Sequence, residues 1–182
     1  HTAIRRQRQM CIRDRSKKMT EPRYQNLEPS DVVLATSHDA GSLIRIIAGI
    51  IDGHEGPGGT HTPITICHVT VSAGHQVILP WKPAYNALAY TLSGAGSVGA
   101  ERVPMQTGRL AVFDAGESLT FTASETQNLD LYVLGGKPIR EPVAKYGPFV
   151  MNNRAELQQA FEDFQAGRLG TVPANGLRPF RG

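Results

Sequence analysis

The chain has little cysteine, only Cys11 and Cys67 in 182 residues. Two thiols cannot form a Cys-based metal motif. With Cys11 in an N-terminal leader, Cys67 is left without a partner for an internal disulfide. That usage predicts a reducing, cytoplasmic setting. Long apolar runs are also missing. The longest candidate, "LIRIIAGII", is half of the ~18 residues a membrane span needs and carries Arg45, so no membrane association is expected. Aromatic residues make up 7% of the chain, with Trp81 the single tryptophan. Without an aromatic platform or a basic groove, direct nucleic-acid binding is not expected.

Positive charge is concentrated at one end. His1 to Thr20 holds seven Lys and Arg residues against Asp14 alone, a net of +6, whereas the rest carries 12 basic and 15 acidic residues, a net of −3. The sequence pI near 9.0 therefore belongs to the leader, and the remainder is mildly acidic. "MCIRDR", Met10 to Arg15, resembles the translation of a transposon-end adapter. Residues 1–16 are accordingly read as a non-native or disordered basic leader, outside the fold.

From Asp31 to Gly136 the pattern is period-two alternation in short runs separated by Gly, Pro and Asn. "TPITICHVTVSAG" sets Cys67, Val69 and Val71 against His68, Thr70 and Ser72. "NALAYTLSG" sets Leu88, Tyr90 and Leu92 against Ala87, Ala89 and Thr91. "SLTFTAS" and "LDLYVLGG" alternate alike, and the denser "LIRIIAGI" and "RLAVFDAG" read as strands covered on both faces. Six or more such strands predict an antiparallel barrel or jelly roll. One helix follows, predicted over 154–166. Asn153 caps it, Glu156 stands three residues on and Gly167 suits its end; Leu157, Ala160, Phe161 and Phe164 form one apolar stripe.

The hairpin "VILPWKPAYNALAYTLSGAGSVG", Val77 to Gly99, contains no histidine and no acidic residue. Its flanking glycines, Gly74 and Gly94, and the pair Gly108 and Gly116 around "RLAVFDA", resemble the two characteristic hairpins of the cupin β-barrel. Metal-bearing cupins read G-x5-H-x-H-x3,4-E-x6-G and G-x5-P-x-G-x2-H there. On that frame the ligand slots fall on Pro80, Lys82, Asn86 or Ala87, and near Leu119, while Asp114 takes the place of the second motif's proline. None of the residues in those slots suits a divalent metal. His54, His61, His68 and His75 recur every seven residues, without the i, i+2 spacing that puts two strand residues on one face. They read as loop and surface residues. "GHEGPGG" lacks the Lys-Ser/Thr and following helix of a phosphate-binding loop.

"GGKPIREPVAKYGPFVMNNRAELQQAFEDFQAGRLG", Gly135 to Gly170, resembles the C-terminal signature of the pirin family, and "KMTEPRYQ" its interdomain linker. The resemblance implies an all-β, cupin-type antiparallel β-barrel with one C-terminal α-helix. It also implies a linker at 17–30, a metal-free C-terminal cupin at 31–137, an extension at 138–170 and a flexible tail at 171–182. Pirins are bicupins with one iron site in the N-terminal cupin. Iron or another divalent metal is therefore expected in a missing N-terminal half, with no cofactor and no catalytic or metal residue in this fragment.

The implied function is the non-catalytic half of a quercetin 2,3-dioxygenase-like protein; the alternative is a non-enzymatic module of the transcription-cofactor type that binds proteins. Phe149, Met151, Phe161 and Phe164 are the candidate interface to the missing cupin. Trp81, Tyr85 and Tyr90 are the candidate pocket for a small planar ligand.

Overall fold

A computed structural model describes residues 15–17, 20 and 25–169. Two compact units result, Gln25–Pro138 and a second that contains the remaining described residues. The expected leader before Arg15 and the expected tail from residue 171 lie outside the described residues.

The larger unit is an antiparallel sheet curled into a half-barrel. Its strands are β1 (Val33–Thr36), β2 (Ser42–Ala48), β3 (Ile50–Ile51), β4 (His54–Glu55), β5 (Ile64–Val71), β6 (Gln76–Pro80), β7 (Asn86–Val98), β8 (Val103–Gln106), β9 (Leu110–Phe113), β10 (Ser118–Ala123) and β11 (Leu129–Gly136). The main order is β1-β2-β5-β11-β7-β10-β6, and β3 with β4 forms a separate hairpin. The long β7 makes the curl. Its first part pairs with β11 and β9, its last with β8 and β10, and its register on β11 shifts between Asp130 and Leu131. A bulge of this kind bends a strand and sharpens its twist.

Alternation decides what faces inward. Cys67, Val69 and Val71 on β5, Leu119 and Phe121 on β10, and Leu129, Leu131 and Val133 on β11 are buried in one core. Each large apolar side chain removed from water there stabilises the fold by about 1.5–3 kcal/mol. On β7 the inward residues are the small Ala87, Ala89 and Thr91, while Leu88, Tyr90 and Leu92 face outward. Small side chains let this strand lie close to the opposing sheet, where Phe113 and Phe121 meet edge to face at 6.0 Å.

One expectation is corrected here. "RLAVFDAG" is not covered on both faces: Leu110 is 56% and Val112 76% exposed. This strand, β9, pairs only with β7, and its outward side chains face solvent. At the other end of the unit, Gln25, assigned by sequence to a linker, donates to the Pro57 carbonyl and accepts from the Gly59 amide at 2.7 and 2.9 Å. Those bonds fix it to the barrel unit.

Burial pushes the Cys67 thiol up to about 12, because a thiolate there would lose its hydration. In a Cys11→Ser background, Cys67 should resist iodoacetamide at pH 8 in the folded chain and react fully in denaturant, as read by mass spectrometry. Rapid labelling of the folded chain would contradict its core position.

The second unit is small. β12 (Ala144–Tyr146) and β13 (Phe149–Met151) form a hairpin, and α1 (Arg154–Gln165) follows. Asn153 Oδ1 accepts from the Glu156 amide at 2.9 Å, and the Glu156 carboxylate accepts from the Asn152 amide at 2.9 Å. The first bond satisfies an N–H group that a helix start leaves unpaired, and the second ties the residue before the cap to the first turn. Gly167 closes the other end with φ of 70°. Arg15, placed by sequence in the excluded leader, belongs to this unit. Its backbone N–H meets the Glu141 carboxylate and its guanidinium meets Glu156 Oε1 at 2.8 Å.

Candidate functional site

A cupin metal site needs donor atoms that converge inside the barrel. Pro80 and Lys82 face outward, and the neighbours that face the core are Leu79 and Trp81. The sequence frame is therefore one residue out of register with the inward face of this hairpin. Ala87 and Leu119 do point inward. The inward set of Leu79, Trp81, Ala87 and Leu119 offers no imidazole or carboxylate, and so does not fit a divalent iron, nickel or zinc ion. Among the described residues no group of three or more His, Cys, Asp or Glu is placed to hold a metal.

The histidines are spread apart. His54 is on the β3–β4 hairpin, with Nδ1 2.9 Å from the Asp52 carbonyl, and His75 Nδ1 bonds to the Ala73 carbonyl. His61 is exposed in a loop. His68 faces outward from β5, in a polar cluster that sequence reading missed. Arg45 Nη1 donates to His68 Nδ1 at 3.2 Å and to Thr70 Oγ1 at 3.0 Å, and Thr70 Oγ1 donates to Asp130 Oδ1 at 2.7 Å. Arginine has no acceptor, so His68 Nδ1 must be unprotonated here. Nε2 stands 3.0 Å from Asp130 Oδ1 without a hydrogen-bonding angle, a close polar contact rather than a directed bond.

That cluster lies in a row of side chains that crosses the outer face of the sheet. Strand register aligns Leu34, Arg45, His68, Tyr132, Tyr90 and Leu110 across six strands. Tyr132 tilts against His68 with ring centroids 5.4 Å apart. Beside this row run Leu88 and Val112, also paired across strands. The result is an apolar face with a polar cluster at one side.

Among the clefts that open on the described residues of this unit are two of unequal size. The larger, about 380 Å³, lies between the edge strands β1 and β6, with His38, Asp39, Asp52 and His54 around it. The smaller, about 250 Å³, contains Trp81 and Tyr85. Tyr90, the third residue of the expected pocket, lines neither. It is 41% exposed on the outer sheet face, because β7 alternates and its inward positions are Ala89 and Thr91.

The smaller cleft is built by two turns. Ile51 pairs with His54 around Asp52-Gly53, at φ of 48° and 76°, the two-residue hairpin that Asp-Gly favours. Opposite, the Tyr85 amide donates to the Lys82 carbonyl at 2.9 Å around Pro83, a turn with proline at its preferred second position. Below them Trp81 is held by its own amide, which donates to the Glu117 carbonyl at 2.7 Å. Its ring covers Gly135, where a Cβ would come within 2.6 Å of Trp81 Cζ2. Sequence supplied Trp81 and Tyr85 but missed Asp52, Thr65 and Lys82. The turn signals were in the sequence; their apposition was not.

Of the four expected interface residues, Phe149 is buried in the core of its own unit with Leu157 and Ala160; Met151 and Phe161 pack beside it, half-buried. Phe164 is 62% exposed, although its ring meets Phe149 at 6.1 Å.

Comparison with known proteins places this architecture. Residues 66–170 match the family described as the pirin C-terminal cupin domain. A pirin-like protein of Solanum lycopersicum is 35% identical over 154 residues, covering 84% of this chain and 52% of the relative. The pirin of Rattus norvegicus is 30% identical over 158 residues, covering 86% and 54%. Among solved structures, a quercetin 2,3-dioxygenase from Acinetobacter baumannii superposes with a TM-score of 0.77 at 30% identity, over 86% of this chain and 54% of that one. The chain thus spans about half the length of the relatives it matches, and its match is to their C-terminal cupin. It belongs to the pirin family.

Proposed function

We propose that this chain is the metal-free, non-catalytic cupin half of a two-cupin, quercetin 2,3-dioxygenase-like protein of the cytoplasm. In this reading 31–137 is the cupin and 138–170 its extension, and the metal chemistry belongs to an N-terminal cupin. The observation that carries the reading is the donor-free set at the inward hairpin positions, Leu79, Trp81, Ala87 and Leu119. A shell of methyl, methylene and indole groups cannot replace the water around a divalent cation.

The partner of this half is the other cupin, and the outer sheet face is its docking surface. Val112, Leu110 and Tyr90 stand exposed in one contiguous stretch, and patches of that kind mark interaction sites. The polar cluster around His68 supplies the rim that interfaces usually carry. Relatives of about twice the length supply the occupant. On the second unit Phe164 is the exposed member of the α1 stripe, and Phe149 serves that unit's own core.

Purified from medium supplemented with iron, nickel and zinc, the chain should hold clearly less than one metal ion per molecule. It should consume no oxygen with quercetin. Stoichiometric metal or flavonol-dependent oxygen uptake would overturn the reading. Capture of the N-terminal half of the same protein, supplied in trans, should be lost in a Tyr90→Lys, Val112→Lys double variant with an unchanged circular dichroism spectrum. Retained capture would move the interface elsewhere.

A further inference from the structure

The geometry points to Arg45 as the residue that receives a carboxylate of the N-terminal cupin half when that half docks on the outer sheet face. This rests on the outer face being the docking surface, and it adds the chemical group that the partner must present.

Arg45 faces outward from β2 and is half-buried. Its Nη1 is used up inside the chain, donating to His68 Nδ1 at 3.2 Å and to Thr70 Oγ1 at 3.0 Å. Those two bonds fix the guanidinium plane. Among the described residues its Nε and Nη2 have no hydrogen-bond partner, and it forms no ion pair. Asp130, the acid of the cluster, instead meets Thr70 Oγ1 at 2.7 Å and His68 Nε2 at 3.0 Å. A guanidinium carries five N–H donors in a rigid fork. With both Nη1 hydrogens committed, the Nε–Nη2 edge remains, and a carboxylate meets such an edge with two parallel hydrogen bonds.

The surroundings require that group. Leu34, 61% exposed, stands opposite Arg45 on β1, and Leu43 lies two residues along β2 on the same face. On the other side the row continues through His68 to Tyr132 and Tyr90. An occupant that covers the row as far as Leu34 therefore takes water from the free edge of Arg45. A charged donor buried without an acceptor is strongly destabilising. A backbone carbonyl would leave the charge uncompensated, whereas a carboxylate matches both the charge and the fork. Arg45 is the single Lys or Arg in the row, so the complementary charge belongs opposite it.

The test uses the isotopically labelled chain and the unlabelled N-terminal half, supplied in trans. The Arg45 Nε–H signal, assigned by its loss in Arg45→Lys, should shift downfield and exchange more slowly with solvent as the half is added. Arg45→Lys keeps the charge but loses the fork, and should weaken capture about tenfold with an unchanged circular dichroism spectrum. An Nε–H signal that stays in place at saturation would overturn the contact. So would wild-type affinity in Arg45→Lys while the Tyr90→Lys, Val112→Lys double variant still loses capture, a result that leaves the docking face standing. Capture that survives the double variant would overturn face and contact together. A shift that grows with the concentration of the chain alone would put a second copy there and overturn the assignment to the other half.

Discussion

Phe121→Ala is expected to lower the stability of the barrel unit by about 3–5 kcal/mol. Phe121 is fully buried at the centre of β10, where that strand pairs with both β6 and β7. Truncation removes a ring from between the two parts of the curled sheet and leaves a cavity bounded by backbone that hydrogen bonds hold on both sides. It also removes the edge-to-face contact with Phe113, worth about 0.5–1.5 kcal/mol beyond area. The small inward residues of β7, Ala87 and Ala89, cannot swing in to fill the gap. Urea unfolding should show the midpoint falling at an unchanged slope. A loss below about 1 kcal/mol would mean that the sheet closes over the cavity and that Phe121 is not the central packing residue.

Gly94→Ala should do more damage, costing at least about 4 kcal/mol or preventing native folding. Gly94 has φ of 84°, and a Cβ there would stand 1.7 Å from the Asn128 carbonyl oxygen. That oxygen is backbone at the entrance to β11 and cannot turn away as a side chain would. Gly99→Ala is the control. Its φ is 74° but nothing lies within 4 Å of its would-be Cβ, so only the left-handed backbone cost of about 1–2 kcal/mol applies. Equal losses in the two variants would show that strain alone, not the close approach of β7 to β11, fixes this glycine.

Much of the fold was legible in the chain. Alternation placed Cys67, Val69 and Val71 on one face of β5 and Leu129, Leu131 and Val133 on one face of β11 because a strand turns successive side chains to opposite sides. Asn153 with Glu156 announced a helix start because short-range capping bonds depend only on neighbouring residues. Failures came where two segments distant in sequence had to be brought together. "RLAVFDAG" looked buried because its residues are apolar, but burial depends on what covers a strand, and β9 has only β7 beside it. Tyr90 was grouped with Trp81 and Tyr85 on the cupin frame, but β7 alternates and the inward positions beside Tyr90 are Ala89 and Thr91.

The sequence by itself determined the alternating strands, the helix that follows Asn153 and the residue types in the cupin hairpin, since each follows from residues within a few positions of one another. Only tertiary structure decided that Leu79 and Trp81, rather than Pro80 and Lys82, face the barrel. It also decided that six strands align an exposed row from Leu34 to Leu110, and that an Asp-Gly turn stands opposite Lys82 above the Trp81 ring. Register and apposition are settled by pairing between strands tens of residues apart, and a one-residue slip in register exchanges one face for the other.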